Sequence, residues 1–247
     1  MKNQHGLTRE IPEPVQRAVR QACGFGCVVC GMPVVEYHHI RPFAECKAHE
    51  PEQIALLCPT HHGRVTSGAI SDESVLRMRQ APFALAAGKC VGADIFYLEH
   101  PLKLRIGSNV FDRFECIVRN SLGDEWFSIR RADDGSDMVH LNATFYNPDG
   151  SRSLRITRNI WDCDTSGLWD IRAEGNVLSV WRAQRKEHLR LRAEPPHTLV
   201  LERLDMRLGD RGLTVWPDGT AELDVPGGSF AMSGVGTQVG TCIYYIT

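Results

Sequence analysis

The sequence predicts an α+β chain of two unequal parts: a small head over residues 1–80 and a larger all-β body over residues 94–247, built as a sandwich or a rolled meander. Three observations predict this. The chain has 247 residues, more than the ~150 of a usual single domain. Five of its nine cysteines and five of its ten histidines lie between positions 23 and 62. From about Ile95 onward, short apolar runs alternate with turn-forming clusters roughly every ten residues, the pattern of β structure.

The elements follow in order. Val15, Ala18, Val19 and Ala22 recur at helical spacing behind Pro12 and Pro14, which predicts a helix ending near Gln21 and broken by Gly24 and Gly26. Val34 to Tyr37 predicts a short strand that His38 and His39 terminate, and Ile54 to Leu57 is a second apolar run. Pro59 suits a first helical turn and Gly68 a helix end, so a helix is expected from Pro59 to about Val65. Ser71 followed by Asp72 and Glu73 reads as an N-cap with an acidic first turn, opening a helix to about Gln80. Ala81 and Pro82 end it, and Gly88 and Gly92 mark residues 81–93 as a linker. In the body, Lys103–Ile106, Phe114–Val118, Trp126–Ile129, Leu154–Ile156, Val177–Trp181 and Leu189–Leu191 predict strands, with turns at Asn147–Gly150 and Pro217–Gly219. Beyond a stretch rich in Gly and Ser up to Gly240, Ile243–Ile246 predicts a last strand.

Composition excludes several classes. With 43% hydrophobic and 23% charged residues, the chain is not disordered throughout. No apolar run reaches ~18 residues and no apolar stretch follows Met1, so neither a membrane span nor a secretory signal is expected, and the expected location is cytoplasmic. In that reducing setting the cysteines are expected as thiols. Twenty-eight Lys and Arg against thirty Asp and Glu leave a formal charge of -2, so any phosphate binding has to be local. The arginine-rich stretch from Arg182 to Arg192 reads as a solvated sheet face balanced by Glu187, Glu194 and Glu202, and the five tryptophans read as β-core or rim residues. His5 and His49 read as exposed loop histidines.

The head carries the chemistry. Cys27-x-x-Cys30 is half of a zinc site, and Cys58-x-x-His61, 28 residues later, supplies the pair that closes a tetrahedron. Cys23 is an alternative to Cys27. A closed site of this kind holds the fold, so function comes from what it positions. A strand end and a helix start stapled by one zinc bring His38 and His62 together as two ligands of a second ion, with positions left for water and phosphate. Neighbours on a strand point to opposite sides, which frees His39 for proton chemistry. Glu36, one strand step from His38, either orients it or stands exposed. Arg41 on the loop and Arg64 on the helix are candidates to pair with a phosphate.

Taken together, Cys27-x-x-Cys30, Glu36-Tyr37-His38-His39-Ile40-x-Pro42 and Ile54-Ala55-Leu56-Leu57-Cys58-x-x-His61-His62 resemble the HNH endonucleases with the ββα-metal fold, over about residues 14–70. The resemblance implies a zinc-stapled ββα-metal head in which His38 and His62 bind the divalent ion and His39 is the general base. It also implies that the family's middle asparagine, which braces the loop behind the base, is replaced by Gln53. Arg41 joins His39 and Gln53 in the expected catalytic set. The expected activity is hydrolysis of phosphodiester bonds in nucleic acid, DNA ahead of RNA, leaving 5′-phosphates. Structural Zn²⁺ and a catalytic Mg²⁺ or Mn²⁺ are expected, with Ni²⁺ or Zn²⁺ as alternatives at the second site. The β-rich body is expected to select substrate or partner, or to form a homo-oligomer. The competing expectations are a catalytically impaired, zinc-stabilised module that binds nucleic acid or protein, and a β-rich assembly protein with the head as accessory.

Overall fold

Pro14 lacks a backbone N–H where a helix start leaves one unused, and the first helix, α1 (Glu13–Ala22), begins there and buries Val19. The computed structural model describes residues 2–92, 96–112, 116–120, 125–165, 167–238 and 242–246. Contacts divide the chain into one unit of Met1–Gly92 with Asp164–Ala173, and a second of Ala93–Cys163 with Glu174–Thr247.

In the first unit, β1 (Glu36–His39) pairs antiparallel with β2 (Ile54–Leu57), with Glu36 opposite Leu57 and His39 opposite Ile54. The strand therefore lies two residues later than the Val34–Tyr37 run. All four β2 residues are buried, so the partner that covers them sets the register, and Val34 is left exposed. Next come α2 (Pro59–Thr66) and α3 (Asp72–Gln80); Ser71 caps α3 by accepting a hydrogen bond from the Ser74 N–H at 3.2 Å. Arg79 of α3 donates to the carbonyls of Ile54, Ala22 and Pro51, tying α3 to the end of α1 and the start of β2.

The stretch read as a linker carries a short helix, α4 (Phe83–Ala87), and a strand, β3 (Lys89–Gly92). Its fold has a local cause: the Phe83 N–H donates to the Val28 carbonyl, Ala84 is fully buried, and Gly88 closes the helix at φ +69°, a left-handed conformation cheap only for glycine.

Residues 164–173 join the first unit through several contacts, among them one buried pair. Arg20 of α1 is 4% exposed and Asp170 is 0% exposed. The guanidinium meets the carboxylate in a two-pronged contact, Nε to Oδ1 at 2.8 Å and Nη2 to Oδ2 at 2.7 Å, and also donates to Tyr37 Oη and Glu13. Burial works against the Arg20 charge and Asp170 more than offsets it, so its pKa moves up rather than down. Arg172 joins the same network through Glu13 and Asp170, and Arg17 lies over the Trp169 ring at 4.4 Å.

The second unit is strand-rich. One sheet runs in the neighbour order β19-β6-β7-β8-β9-β10, built from β6 (Cys116–Asn120), β7 (Glu125–Arg131), β8 (Val139–Tyr146), β9 (Arg152–Thr157), β10 (Ile160–Asp164) and β19 (Cys242–Ile246). It is antiparallel except where β19 joins β6. Phe114, Glu115 and Gly240 lie outside the described residues. β11 (Asp170–Glu174) straddles the boundary between the units. The other sheet is an antiparallel meander of β12 (Val177–Ala183), β13 (Lys186–Glu194), β14 (Thr198–Leu208), β15 (Arg211–Val215), β16 (Ala221–Val225) and β17 (Gly228–Met232). The long β14 gives one edge to β13 and divides the other between β15 and the parallel strand β4 (Lys103–Ile106). β4 in turn pairs with β5 (Asn109–Asp112), and β5 with β18 (Gly236–Gln238). Burial alternates along all of β8, and Phe127 and Phe145 of one sheet meet Leu201, Leu204 and Met206 of the other around one small apolar cavity. On the surface, Arg190 and Arg192 pair with Glu187, Glu194 and Glu202, so the basic stretch is internally neutralised. Among the described residues, no helix is long and apolar enough to cross a membrane.

Two stability predictions follow from these contacts. Asp170→Ala takes from the buried Arg20 guanidinium its two-pronged partner and leaves it Glu13 and Tyr37, and should cost up to about 3–5 kcal/mol in denaturant unfolding. His188 is buried beside Ser153 Oγ at 3.0 Å, and burial, aided by Arg182, holds its pKa down at about 4. An unfolded histidine titrates near ~6.5, so below that pH the unfolded chain takes up a proton that the folded chain refuses. Stability should fall as pH drops from ~6.5 toward 4, by up to about 3 kcal/mol, and the drop should be smaller in His188→Gln.

Candidate functional site

The knuckle after α1 is a tight turn: the Gly31 N–H donates to the Cys27 carbonyl and the Cys27 N–H to the Met32 carbonyl, each at 2.8 Å. Gly31 sits at φ +75°, which a side chain would strain. The turn is pinned to β2 by the Val28 N–H donating to the Leu56 carbonyl. Cys58 is the extended residue before α2 and His61 lies in the helix's first turn, so the two side chains share one face.

These elements bring four donor atoms together: the sulfurs of Cys27, Cys30 and Cys58 and a nitrogen of His61, all within 4.8 Å of one another. Cys30 and Cys58 Sγ are 3.9 Å apart, and His61 Nδ1 lies 3.1 Å from Cys58 Sγ and 3.5 Å from Cys27 Sγ. A tetrahedral ion with Zn–S near 2.3 Å and Zn–N near 2.05 Å calls for edges of about 3.8 Å and about 3.6 Å, so the donor set fits zinc. Electrostatics point the same way. Burial, with Cys27 and Cys58 alongside, pushes the Cys30 thiol up to about 12, and burial lowers His61. Thiols so placed ionise only when a cation supplies the opposing charge. Cys23 is fully buried in the apolar core, and Cys27 takes the ligand position.

β1 and α2 form the wall of a separate pocket of about 580 Å³, lined among others by Arg9, Glu36, His38, His39, Phe43 and His62. The ring centroids of His38 and His62 are 5.4 Å apart. Each has a carboxylate partner: His38 Nε2 lies 3.1 Å from Asp72 Oδ1, and His62 Nδ1 contacts Glu36 Oε2. A neutral imidazole that donates to a carboxylate keeps its other nitrogen bare, the arrangement usual behind metal-binding histidines. Among the described residues, these four side chains do not converge to within 4.8 Å as the Cys27 group does.

Strand alternation turns His39 away from Glu36 and His38, yet as the last residue of β1 it still lines the same pocket. Burial, then His49, Arg9 and His38, depress its pKa to about 4, so the ring is neutral at pH 7. Its Nε2 is 3.1 Å from His49 Nδ1. Arg9 stands over the Phe43 ring at 5.6 Å.

The structure thus gathers His38, His39 and His62 around one pocket. Arg41, Gln53 and Arg64 do not line it; Gln53 contributes its backbone, its carbonyl accepting from the Ile40 N–H at 2.9 Å. Glu36 partners His62 rather than His38. Arg9, His49 and Asp72 are additions to the sequence reading. Asp72 reads in sequence only as a first-turn carboxylate, and neither Arg9 nor His49 stands at a spacing that marks it.

No protein-family model matches the chain, and no curated protein or solved structure does either.

Protein prepared under reducing conditions should carry about one zinc per chain by emission spectrometry, and Cys58→Ser should lose most of it. Chelation should lower the thermal midpoint; a metal-free chain that is indifferent to chelator would refute the assignment.

Proposed function

We propose that this chain is a metal-dependent nuclease that hydrolyses phosphodiester bonds in nucleic acid, DNA ahead of RNA, with residues 14–70 acting as a ββα-metal head of the HNH kind. The observation that carries the reading is the pocket in which a neutral His39 stands beside His38 and His62, next to a Cys₃His cluster that fixes the start of α2. The order β1, β2, α2 across that cluster supports it.

His38 and His62 would hold the second ion, each with one nitrogen committed to a carboxylate and one bare. A divalent cation bound there would polarise the phosphate and stabilise the departing oxygen, Mg²⁺ or Mn²⁺ being first choice and Ni²⁺ or Zn²⁺ also suited to imidazole. His39, uncharged at pH 7, can take a proton from water. Arg9, on the pocket wall, is placed to pair with a phosphate oxygen. Arg41 and Arg64, which do not line the pocket, have no part in this scheme.

With a formal charge of -2 and with Arg190 and Arg192 of the second unit paired to Glu202, nonspecific affinity for DNA should be weak. A partner, an oligomer or a preferred substrate recruited by the β-rich unit would raise the rate above a basal nicking of plasmid by the chain itself.

Supercoiled plasmid incubated with the protein and Mg²⁺, Mn²⁺ or Ni²⁺ should be nicked, EDTA should stop it, and His39→Ala should lower the rate by at least about a hundredfold. If wild type and variant leave the plasmid equally intact in all three metals while zinc is bound, the head is a binding module and the nuclease reading falls.

A further inference from the structure

His49 is joined at both ring nitrogens. Its Nδ1 lies 3.1 Å from His39 Nε2, and its own Nε2 lies 3.0 Å from the backbone carbonyl oxygen of Thr8. A carbonyl oxygen can only accept, so His49 must carry its proton on Nε2. In the neutral ring Nδ1 is then bare and accepts from His39. That places the His39 proton on Nε2 and leaves His39 Nδ1 bare. The reverse order would set the lone pairs of His49 Nε2 and the Thr8 oxygen against each other.

The oxygen that orders this chain is itself held. Asn3 donates through Nδ2 to the carbonyls of Phe43 and Cys46, both at 2.7 Å, and its Oδ1 accepts from the N–H groups of His5 and Leu7, both at 3.0 Å. Residues 3–8 are therefore a closed turn latched onto the loop that carries Phe43. The His49 ring stacks on Phe43, with centroids 6.3 Å apart and planes 15° from parallel. Phe43 thus fixes the position of the His49 ring, and the Thr8 carbonyl its proton order.

We propose that His49 is a positioning residue that holds His39 in its Nε2-protonated tautomer, making Nδ1 the atom of His39 that receives a proton. Its catalytic consequence rests on the reading of His39 as general base; the tautomer rests on the contacts alone. In hydrolysis, the attacking water gives a proton to His39 Nδ1 while its oxygen forms the new bond to phosphorus. The bond from phosphorus to the 3′-oxygen breaks, and that oxygen takes a proton from solvent.

The test uses ¹⁵N-labelled, zinc-loaded full chain at pH 8, where imidazoles with pKa near ~6.5 are neutral. Long-range ¹H–¹⁵N spectra should show His39 protonated at Nε2, a ring proton protected from exchange, and a ¹⁵N–¹⁵N coupling to His49 Nδ1. His49→Phe keeps the ring stacked on Phe43 but has no nitrogen, and should abolish the coupling and the protection. His49→Gln presents an acceptor and a donor in the same order and should restore the protection. In the plasmid assay at saturating metal, His49→Phe should lower the turnover rate at least about tenfold, with the metal dependence unchanged, and His49→Gln should recover most of it. A bare Nε2 on wild-type His39, or a protected ring proton that survives in His49→Phe, overturns the proposal. Intact plasmid together with the expected spectra would refute the nuclease reading and leave the tautomer chain standing.

Discussion

Three sulfurs and an imidazole nitrogen lie within 4.8 Å of one another; the sulfurs repel one another as thiolates, and burial resists the ionising of Cys30 unless a cation stands among them. The rest of the head depends on that constraint. Cys27 and Cys30 close the turn behind α1, Cys58 ends β2, and His61 opens α2, so one centre fixes three elements. The residue after His61 is then carried into the pocket, and the register of β1 against β2 decides which side His38 and His39 face. A slip of one residue in that pairing would exchange the two histidines.

Each imidazole of the pocket has one nitrogen committed to a partner of a different kind. Asp72 and Glu36 take His38 and His62, and His49, itself backed by a peptide carbonyl, takes His39. Carboxylates enrich the electron density of rings that would bind a cation, whereas a neutral relay orients a ring without adding charge beside it. Similar side chains are thus set apart by what stands behind them.

What sequence made legible and what it did not divide along physical lines. Ligand spacing was readable because a tetrahedral ion needs two donors on one turn and two on one helix face, and both requirements are local. α1, α2 and α3 were readable from proline, serine and acidic start signals. The Val34–Tyr37 run misplaced β1 because apolar content marks a strand, whereas its limits come from the partner. Residues 81–93 read as a linker because Pro and Gly punctuate them, yet Ala84 packs and Phe83 is tethered to Val28. Several strands of the second unit escaped, among them β8, whose alternation is plain only once His140, Asn142 and Thr144 are seen as its outer face. Arg20 with Asp170, and His49 with His39, left no trace, since such contacts impose no spacing on the residues between them.

The two-part make-up of the first unit bears on how the chain is born. Its opening segment, through Gly92, leaves the ribosome long before Asp164–Ala173 exists. At about 5–20 residues per second the delay is on the order of ten seconds. Throughout that interval Arg20 has no Asp170 to meet, and its place in α1 must stay open to water. The cysteine ligands, by contrast, all emerge within the first sixty residues and can capture an ion at once. Metal capture can therefore precede closure of the head, and the segment that closes it arrives only after most of a sheet has been synthesised. By the same logic, a fragment of residues 1–92 would carry Arg20 without its Asp170 partner.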